Sequence, residues 1–150
     1  MIELVATATI TASSALLFGY WFRYTCLLIL STKTARDYTG EVASANELDV
    51  LNIQAALRGA SSADLERLHQ SLERDYEVLS FLFRNAAGAR GDQHLEDRML
   101  GLYYRVMRSC YSATRGFSEK WARTALEEMS LVVAHFANAV GERAAAAAAA

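Results

Sequence analysis

A run of nineteen residues without a charged side chain, Leu4–Phe22, constrains this chain more than any other feature. As an α-helix, a run of this length crosses the ~30 Å hydrocarbon core of a bilayer, whereas a stretch of about 10–14 apolar residues is typical of a buried core helix. A signal peptide normally begins with basic residues, but Met1-Ile2-Glu3 precede this run. The run therefore predicts a retained, single-pass transmembrane anchor.

Aromatic residues mark the far end of the predicted span. Tyr20, Trp21 and Tyr24 surround Arg23. Tyrosine and tryptophan favour the headgroup level of a membrane, where an arginine side chain can also reach water. A later register over residues 12–30 would place Arg23 near the bilayer centre, at a cost of about 2.5–3.5 kcal/mol. We therefore predict that these four side chains lie at the membrane interface.

Basic residues lie mainly on one side of the predicted span. Arg23, Lys33 and Arg36 follow it, whereas Glu3 and the terminal amine precede it. Because loops rich in lysine and arginine stay on the cytoplasmic side, we expect the N-terminus outside and the C-terminal domain in the cytoplasm. The expected location is a bacterial inner membrane.

Small side chains recur every four residues along the predicted anchor, at Thr7, Thr11, Ala15 and Gly19. Positions four apart share a helix face. Membrane helices associate through small residues, which let backbones approach closely, and through hydrogen bonds such as those of threonine. We expect this strip to pack against other integral-membrane subunits. The alternative is a chance recurrence of common residues.

Helix-spaced apolar residues continue through the rest of the chain, which contains no proline to interrupt a helix. They predict one short helix and three long ones. The residues expected to face the core are Leu65, Leu68, Leu72, Tyr76, Leu79 and Phe83 in the first long helix, Leu95, Met99, Leu102, Val106, Cys110 and Ala113 in the second, and Ala122, Ala125, Met129, Val132, Phe136 and Val140 in the third. Arg67, Glu73, Arg74, Asp75 and Glu77 are expected on other faces.

Short loops between long helices favour antiparallel neighbours. The predicted fold is therefore all-α, with a single N-terminal transmembrane helix followed by an up-and-down antiparallel bundle. We divide the chain into an anchor with an interfacial end (1–30), a juxtamembrane connector (31–45), a cytoplasmic helical bundle (46–143) and a tail (144–150) of seven alanines. The tail is either low-complexity sequence or alanines standing for residues of unknown identity.

Polar residues and glycines predict where the helices begin and end. The expected N-terminal caps are Asn46 for the short helix, Ser61 with Asp64 for the first long helix, Asp92 for the second and Ser118 for the third. The expected C-terminal stops are Gly59, Gly88, Gly116 and Gly141.

Residues able to bind metals or haem are sparse. Glu66 and His69 form one Glu-x-x-His motif, but a di-iron bundle site needs two. His135 lies in an apolar segment without a haem-attachment motif, and Cys110 lies on the predicted core face. We therefore expect no metal, no cofactor and no enzymatic activity.

Tyrosine and arginine crowd one face of the second long helix, at Tyr104, Arg108, Tyr111 and Arg115. These residue types are enriched at the energetic centres of protein interfaces, so we predict a partner-binding face. Lipid headgroups are the alternative partner for the arginines. The formal net charge of −2 gives no basic excess that would indicate nucleic acid.

These features favour a non-catalytic accessory subunit of a larger integral-membrane complex. The anchor would contact other membrane subunits and lipid, and the bundle would contact a soluble face of the same complex. A respiratory or photosynthetic energy-transducing complex is one candidate host. The alternative is a membrane-anchored signalling or regulatory module, and a metal- or haem-binding bundle is less favoured.

Overall fold

The structure, a computed structural model, describes residues 1–32, 34–59, 64–86 and 94–149. Over these ranges it contains six α-helices and confirms the predicted all-α fold: α1 (Ile2–Ser31), α2 (Thr39–Ala45), α3 (Val50–Arg58), α4 (Leu65–Ala86), α5 (His94–Thr114) and α6 (Glu119–Ala149). The chain divides into two compact units, Met1–Lys33 and Thr34–Ala150. The predicted ends at Ser61, Gly88 and Asp92 lie outside the described residues.

The first unit contains the helix α1, which has 30 residues. The mean hydropathy of its most apolar stretch is 1.5. At 1.5 Å per residue its length is about 45 Å. It is long and apolar enough to cross a membrane, and none of that stretch is buried within the chain. Threonine hydroxyls donate hydrogen bonds back along the helix, from Thr7 to the carbonyl of Glu3 and from Thr11 to that of Thr7, both at 2.8 Å. These hydroxyls are therefore satisfied without a neighbouring helix.

The second unit is organised around α6, against which α2, α3, α4 and α5 all pack. Contacts between side chains give the directions. Tyr103 on α5 contacts Glu128 and Asp97 contacts Arg143, so α5 runs antiparallel to α6. Tyr76 on α4 lies against Phe136, and Phe83 on α4 lies under Arg143, so α4 runs in the same direction as α6. Among the described residues, α4 and α5 face each other through side chains, without close backbone approach.

The central position of α6 follows from its composition of small and branched apolar residues. Side chains on several sides of the helix are buried, among them Ala122, Ala125, Leu126, Met129, Val132, Val133, Phe136 and Ala137. Alanine lets neighbouring backbones approach closely, while valine and leucine fill the spaces between helices. The hydroxyl of Ser118 accepts a hydrogen bond from the backbone N–H of Trp121 at 3.4 Å, which confirms the predicted cap.

The predicted end of α6 at Gly141 is wrong, because the helix continues to Ala149. Arg143 explains the continuation. Its guanidinium pairs with Asp97 on α5 at 3.2 Å and lies over the ring of Phe83 on α4, 3.6 Å from the ring centroid. These contacts hold the turn after Gly141 in place. The segment that follows consists of alanine, the residue with the highest helix propensity.

The segment predicted to be a connector includes α2, which buries Thr39, Val42 and Ala43. The second unit therefore begins at Thr34 and not at residue 46. Asn46 does not cap the next helix as predicted. Its side-chain amide instead donates to the carbonyl of Val42 at 2.9 Å, at the end of α2.

The short helix α3 has Asp49 at its N-cap and Gly59 at its C-cap. Gly59 is the predicted stop. The helix begins later than predicted, because a carboxylate from α4 accepts a hydrogen bond at its N-terminus. Asp75 accepts this bond from the backbone N–H of Asp49 at 2.8 Å.

Candidate functional site

The face of α5 that packs into the second unit is not the predicted one. Leu100, Tyr103, Tyr104 and Tyr111 are buried. The six residues predicted to face the core instead form an outward stripe, which we call the α5 stripe. It consists of Leu95, Met99, Leu102, Val106, Cys110 and Ala113. Periodicity identified both rows of residues correctly but assigned the wrong row to the interior.

The two tyrosines predicted to bind a partner are buried between α4 and α5. Tyr104 stacks on Tyr76 with ring centroids 3.8 Å apart and planes 5° from parallel. Tyr111 stacks on His69 with centroids 4.4 Å apart. The prediction that these tyrosines lie on an open surface is therefore wrong, because their rings fill the wide space between the two helices.

The two arginines of the same predicted face form ion pairs with α4. Arg108 pairs with Glu73, and Arg115 pairs with Glu66 at 2.6 Å. Each arginine side chain remains about half exposed. The predicted partner-binding residues are thus brought together by the structure, but they join two helices of one unit.

His69 lies at the centre of this contact and is buried. Its Nε2 atom is 3.7 Å from Oε1 of Glu73. Burial lowers the pKa of His69, although Glu73 and Glu66 oppose this shift. Glu66 turns away to pair with Arg115. Over the described residues there is no cluster of three or more histidine, cysteine or acidic side chains that could hold a metal ion.

Two buried carboxylates were missed by the sequence reasoning. Asp75 is fully buried at the N-terminus of α3, and its burial raises its pKa to about 6. Glu128 on α6 is buried and accepts a hydrogen bond from the hydroxyl of Tyr103. A signal for Asp75 existed in the sequence, because it lies three residues after Leu72 and four before Leu79, in a row of core leucines.

The remaining candidate residues of this unit are isolated. His135 is half-buried on α6, and burial lowers its pKa while the nearby Asp97 raises it. Cys110 is exposed on the α5 stripe instead of buried in the core. Neither residue belongs to a group of three or more histidine, cysteine or acidic side chains in the part of the chain described.

The predicted packing strip on α1 is exposed along its whole length, at Thr7, Thr11, Ala15 and Gly19. A methyl group built at Gly19 would meet nothing within 4 Å. The predicted interface residues Tyr20, Trp21, Arg23 and Tyr24 are also exposed. This geometry leaves both surfaces accessible, and their roles in a membrane stay predictions.

Comparisons with family models, with curated proteins and with solved structures give no match to this chain.

Proposed function

We propose that this chain is a non-catalytic accessory subunit of a larger integral-membrane complex. The observation that carries the proposal is an apolar helix long enough to span a membrane, whose most apolar stretch is not buried anywhere within the chain. Exposed apolar surface of this extent requires a cover from outside the chain, which lipid and neighbouring membrane helices supply. The second unit has a hydrophobic core of its own and forms the extramembrane part of the subunit.

The strip on α1 supports a neighbouring helix as part of that cover. Residues spaced by four advance by roughly 40° around a helix at each step. A row of small residues with this spacing is typical of close, right-handed crossings between membrane helices. Because Thr7 and Thr11 bond their own backbone, close van der Waals packing would supply most of the attraction.

The proposed orientation places the second unit in the cytoplasm. Arg23 is exposed just beyond the predicted span, and Arg36 follows in an ion pair with Glu41 at 2.9 Å. The ion pair with Glu41 does not weaken this assignment, because membrane orientation depends on lysine and arginine, and acidic residues contribute little to it. Lys33, the third basic residue that follows the predicted span, lies outside the described residues.

The substitution Ala15→Leu tests the packing strip. A leucine side chain there separates the two backbones, and we expect recovery of partner subunits with the detergent-extracted chain to fall about tenfold. Ala6→Leu is the matched control, because it makes the same change on the opposite face of α1 and should leave recovery unchanged. Native mass spectrometry of the extracted complexes measures the stoichiometry in each case.

Three outcomes of that measurement would contradict the proposal. The first is migration of the wild-type chain as a free monomer. The second is equal recovery of partners with Ala15→Leu and wild type. The third is a homodimer without other subunits, which would favour the membrane-anchored regulatory module.

A further inference from the structure

The α5 stripe leaves a continuous apolar surface on the outside of the second unit. Leu95, Leu102 and Val106 are 69%, 50% and 40% exposed. The residues of the stripe lie within an arc of roughly 80° around the helix. A shallow depression on the same surface is lined by Arg105, Val106, Ser109, Cys110 and Ala113. Apolar patches of this kind on soluble surfaces mark sites of contact with proteins or membranes.

Large aromatic side chains extend the apolar surface at one end. Phe117, in the turn between α5 and α6, is 77% exposed, and Trp121 in the first turn of α6 is 67% exposed. Tyr103 on α5 contacts Glu128 on α6, and the two helices are antiparallel. Cys110, seven residues after Tyr103, therefore lies at the same level along the helices as Trp121, seven residues before Glu128. Tryptophan and phenylalanine beside leucine and valine are typical of surfaces that enter the headgroup layer of a bilayer.

Positive charge borders the stripe. Arg98 and Arg105 are exposed and lie seven residues apart on one side of it. At the aromatic end the exposed Lys120 is adjacent to the exposed Glu119, so the positive side of the stripe is the one that carries the two arginines. The other border of the stripe is where α5 packs against α6, through Tyr103 and Glu128. An apolar face with a basic border attracts anionic lipid headgroups.

The same charges argue against a second copy of the chain as the occupant. In an antiparallel pairing of two α5 stripes, each border meets the equivalent border of the other copy. Arg98 and Arg105 of one copy would therefore approach the same arginines of the other, and like charges brought together disfavour association. In a parallel pairing, each arginine border would face the border that α6 occupies in the other copy, and α6 would limit how closely the two stripes approach.

We propose that the α5 stripe docks on the surface of an anionic bilayer, with Trp121 in the headgroup layer. This inference rests on the proposed function, in which α1 anchors the chain and keeps the second unit beside a membrane. Because the chain is tethered, docking is an intramolecular step. A modest apolar patch and two arginines are then enough to hold the second unit on the membrane surface.

Fluorescence of Trp121 tests the docking in the full chain. The variant Trp21→Phe leaves Trp121 as the sole tryptophan. We expect lipids brominated on the upper acyl chain to quench its emission by roughly twofold in vesicles that contain phosphatidylglycerol. Quenching should be much weaker in vesicles of phosphatidylcholine alone, because these lack the anionic charge.

Neutralising the basic border should release the surface. In the Trp21→Phe background, Arg98→Gln with Arg105→Gln is expected to lower the ratio of docked to free second unit roughly 25-fold, since each arginine near an anionic surface contributes about fivefold. The matched control is Arg58→Gln with Arg67→Gln, which removes two exposed arginines from α3 and α4 and should leave quenching unchanged.

Replacing exposed leucines tests the apolar part of the contact. Leu102→Asn on the stripe should reduce quenching, whereas Leu51→Asn, on an exposed position of α3, should not. Both positions are partly exposed, so circular dichroism should show the same helix content in the two variants.

Flotation of the vesicles separates failure of this inference from failure of the proposed function. If the chain floats with the vesicles but Trp121 is not quenched, α1 is anchored and the docking is wrong. If the chain does not float, the proposed function is wrong as well. Crosslinking of Cys110 between two copies in the same vesicles would show that a second chain covers the stripe, and would overturn the docking.

Discussion

The substitution Gly141→Ala is expected to destabilise the second unit by about 1–3 kcal/mol or more, since this is the range for added atoms in a packed interior. A Cβ atom at residue 141 would lie 2.3 Å from Cβ of Tyr38 and 3.1 Å from Cγ2 of Val42. A Cβ atom cannot rotate away, so α2 must shift from α6. That shift would also strain the hydrogen bond from the backbone N–H of Tyr38 to Oδ1 of Asn138, which is 2.7 Å long.

Thermal unfolding of the full chain in mild detergent, followed by near-ultraviolet circular dichroism, measures this loss. Gly40→Ala is the control, because a methyl group there would meet nothing within 4 Å. Alanine is preferred to glycine inside a helix by up to about 1 kcal/mol, so Gly40→Ala should leave stability unchanged or raise it. A Gly141→Ala protein as stable as wild type would show that Tyr38 does not pack against α6.

The substitution Asp75→Asn is expected to remove a pH dependence of stability between about pH 4 and pH 7. Burial raises the pKa of Asp75 from 3.8 to about 6, although the hydrogen bonds from the backbone of Asp49 and Val50 oppose the shift. Well below pH 3.8 the carboxyl is protonated in both the folded and the unfolded chain. Between about pH 4 and pH 6 the unfolded chain loses this proton while the folded chain keeps it, so stability falls. Above pH 6 the buried carboxyl ionises too, and the loss levels off at about 3 kcal/mol at most.

Asparagine is neutral at every pH and retains an oxygen that can accept the hydrogen bond from Asp49. We therefore expect the free energy of unfolding of Asp75→Asn, relative to wild type, to increase as the pH rises from 4 to 7. Urea titrations at several pH values measure it.

Asp37→Asn is the control for this measurement. Hydrogen bonds from Thr39 lower the pKa of Asp37, so its contribution to stability is lost as the pH falls and its trend has the opposite sign. A constant difference between Asp75→Asn and wild type would show that the Asp75 carboxyl is in contact with water.

Helix type and length could be predicted from the sequence wherever periodicity was long. The apolar run of α1, the leucine row of α4 and the cap at Ser118 each rest on local rules, and the structure contains the corresponding helices. The end of α6 could not be predicted in this way. Gly141 resembles a helix stop locally, whereas contacts of Arg143 with Asp97 and Phe83, from two other helices, continue the helix past it.

The burial of α5 shows why periodicity alone does not identify the interior. Its aliphatic stripe and its tyrosine row are both helix-spaced, and hydropathy favours the aliphatic one. The structure buries the tyrosines because their rings bridge the wide space to α4, where Tyr104 meets Tyr76 and Tyr111 meets His69. That outcome depends on which residues of α4 face α5, and the sequence of α5 alone does not contain this information.

The buried acids could not be predicted for a related reason. An aspartate or glutamate is normally assigned to the surface, since an unpaired charge is costly to bury. Asp75 is buried because the N-terminus of α3 supplies a donor, and Glu128 because Tyr103 supplies one. Each donor comes from a different helix from that of the acid.

The central place of α6 has a consequence for how the chain matures. Translation produces α6 after α2, α3, α4 and α5, yet all four pack against it. The nascent second unit therefore lacks its main packing surface until α6 leaves the ribosome. During that interval the apolar faces of these helices are exposed, which is the condition in which unfinished chains are prone to aggregate.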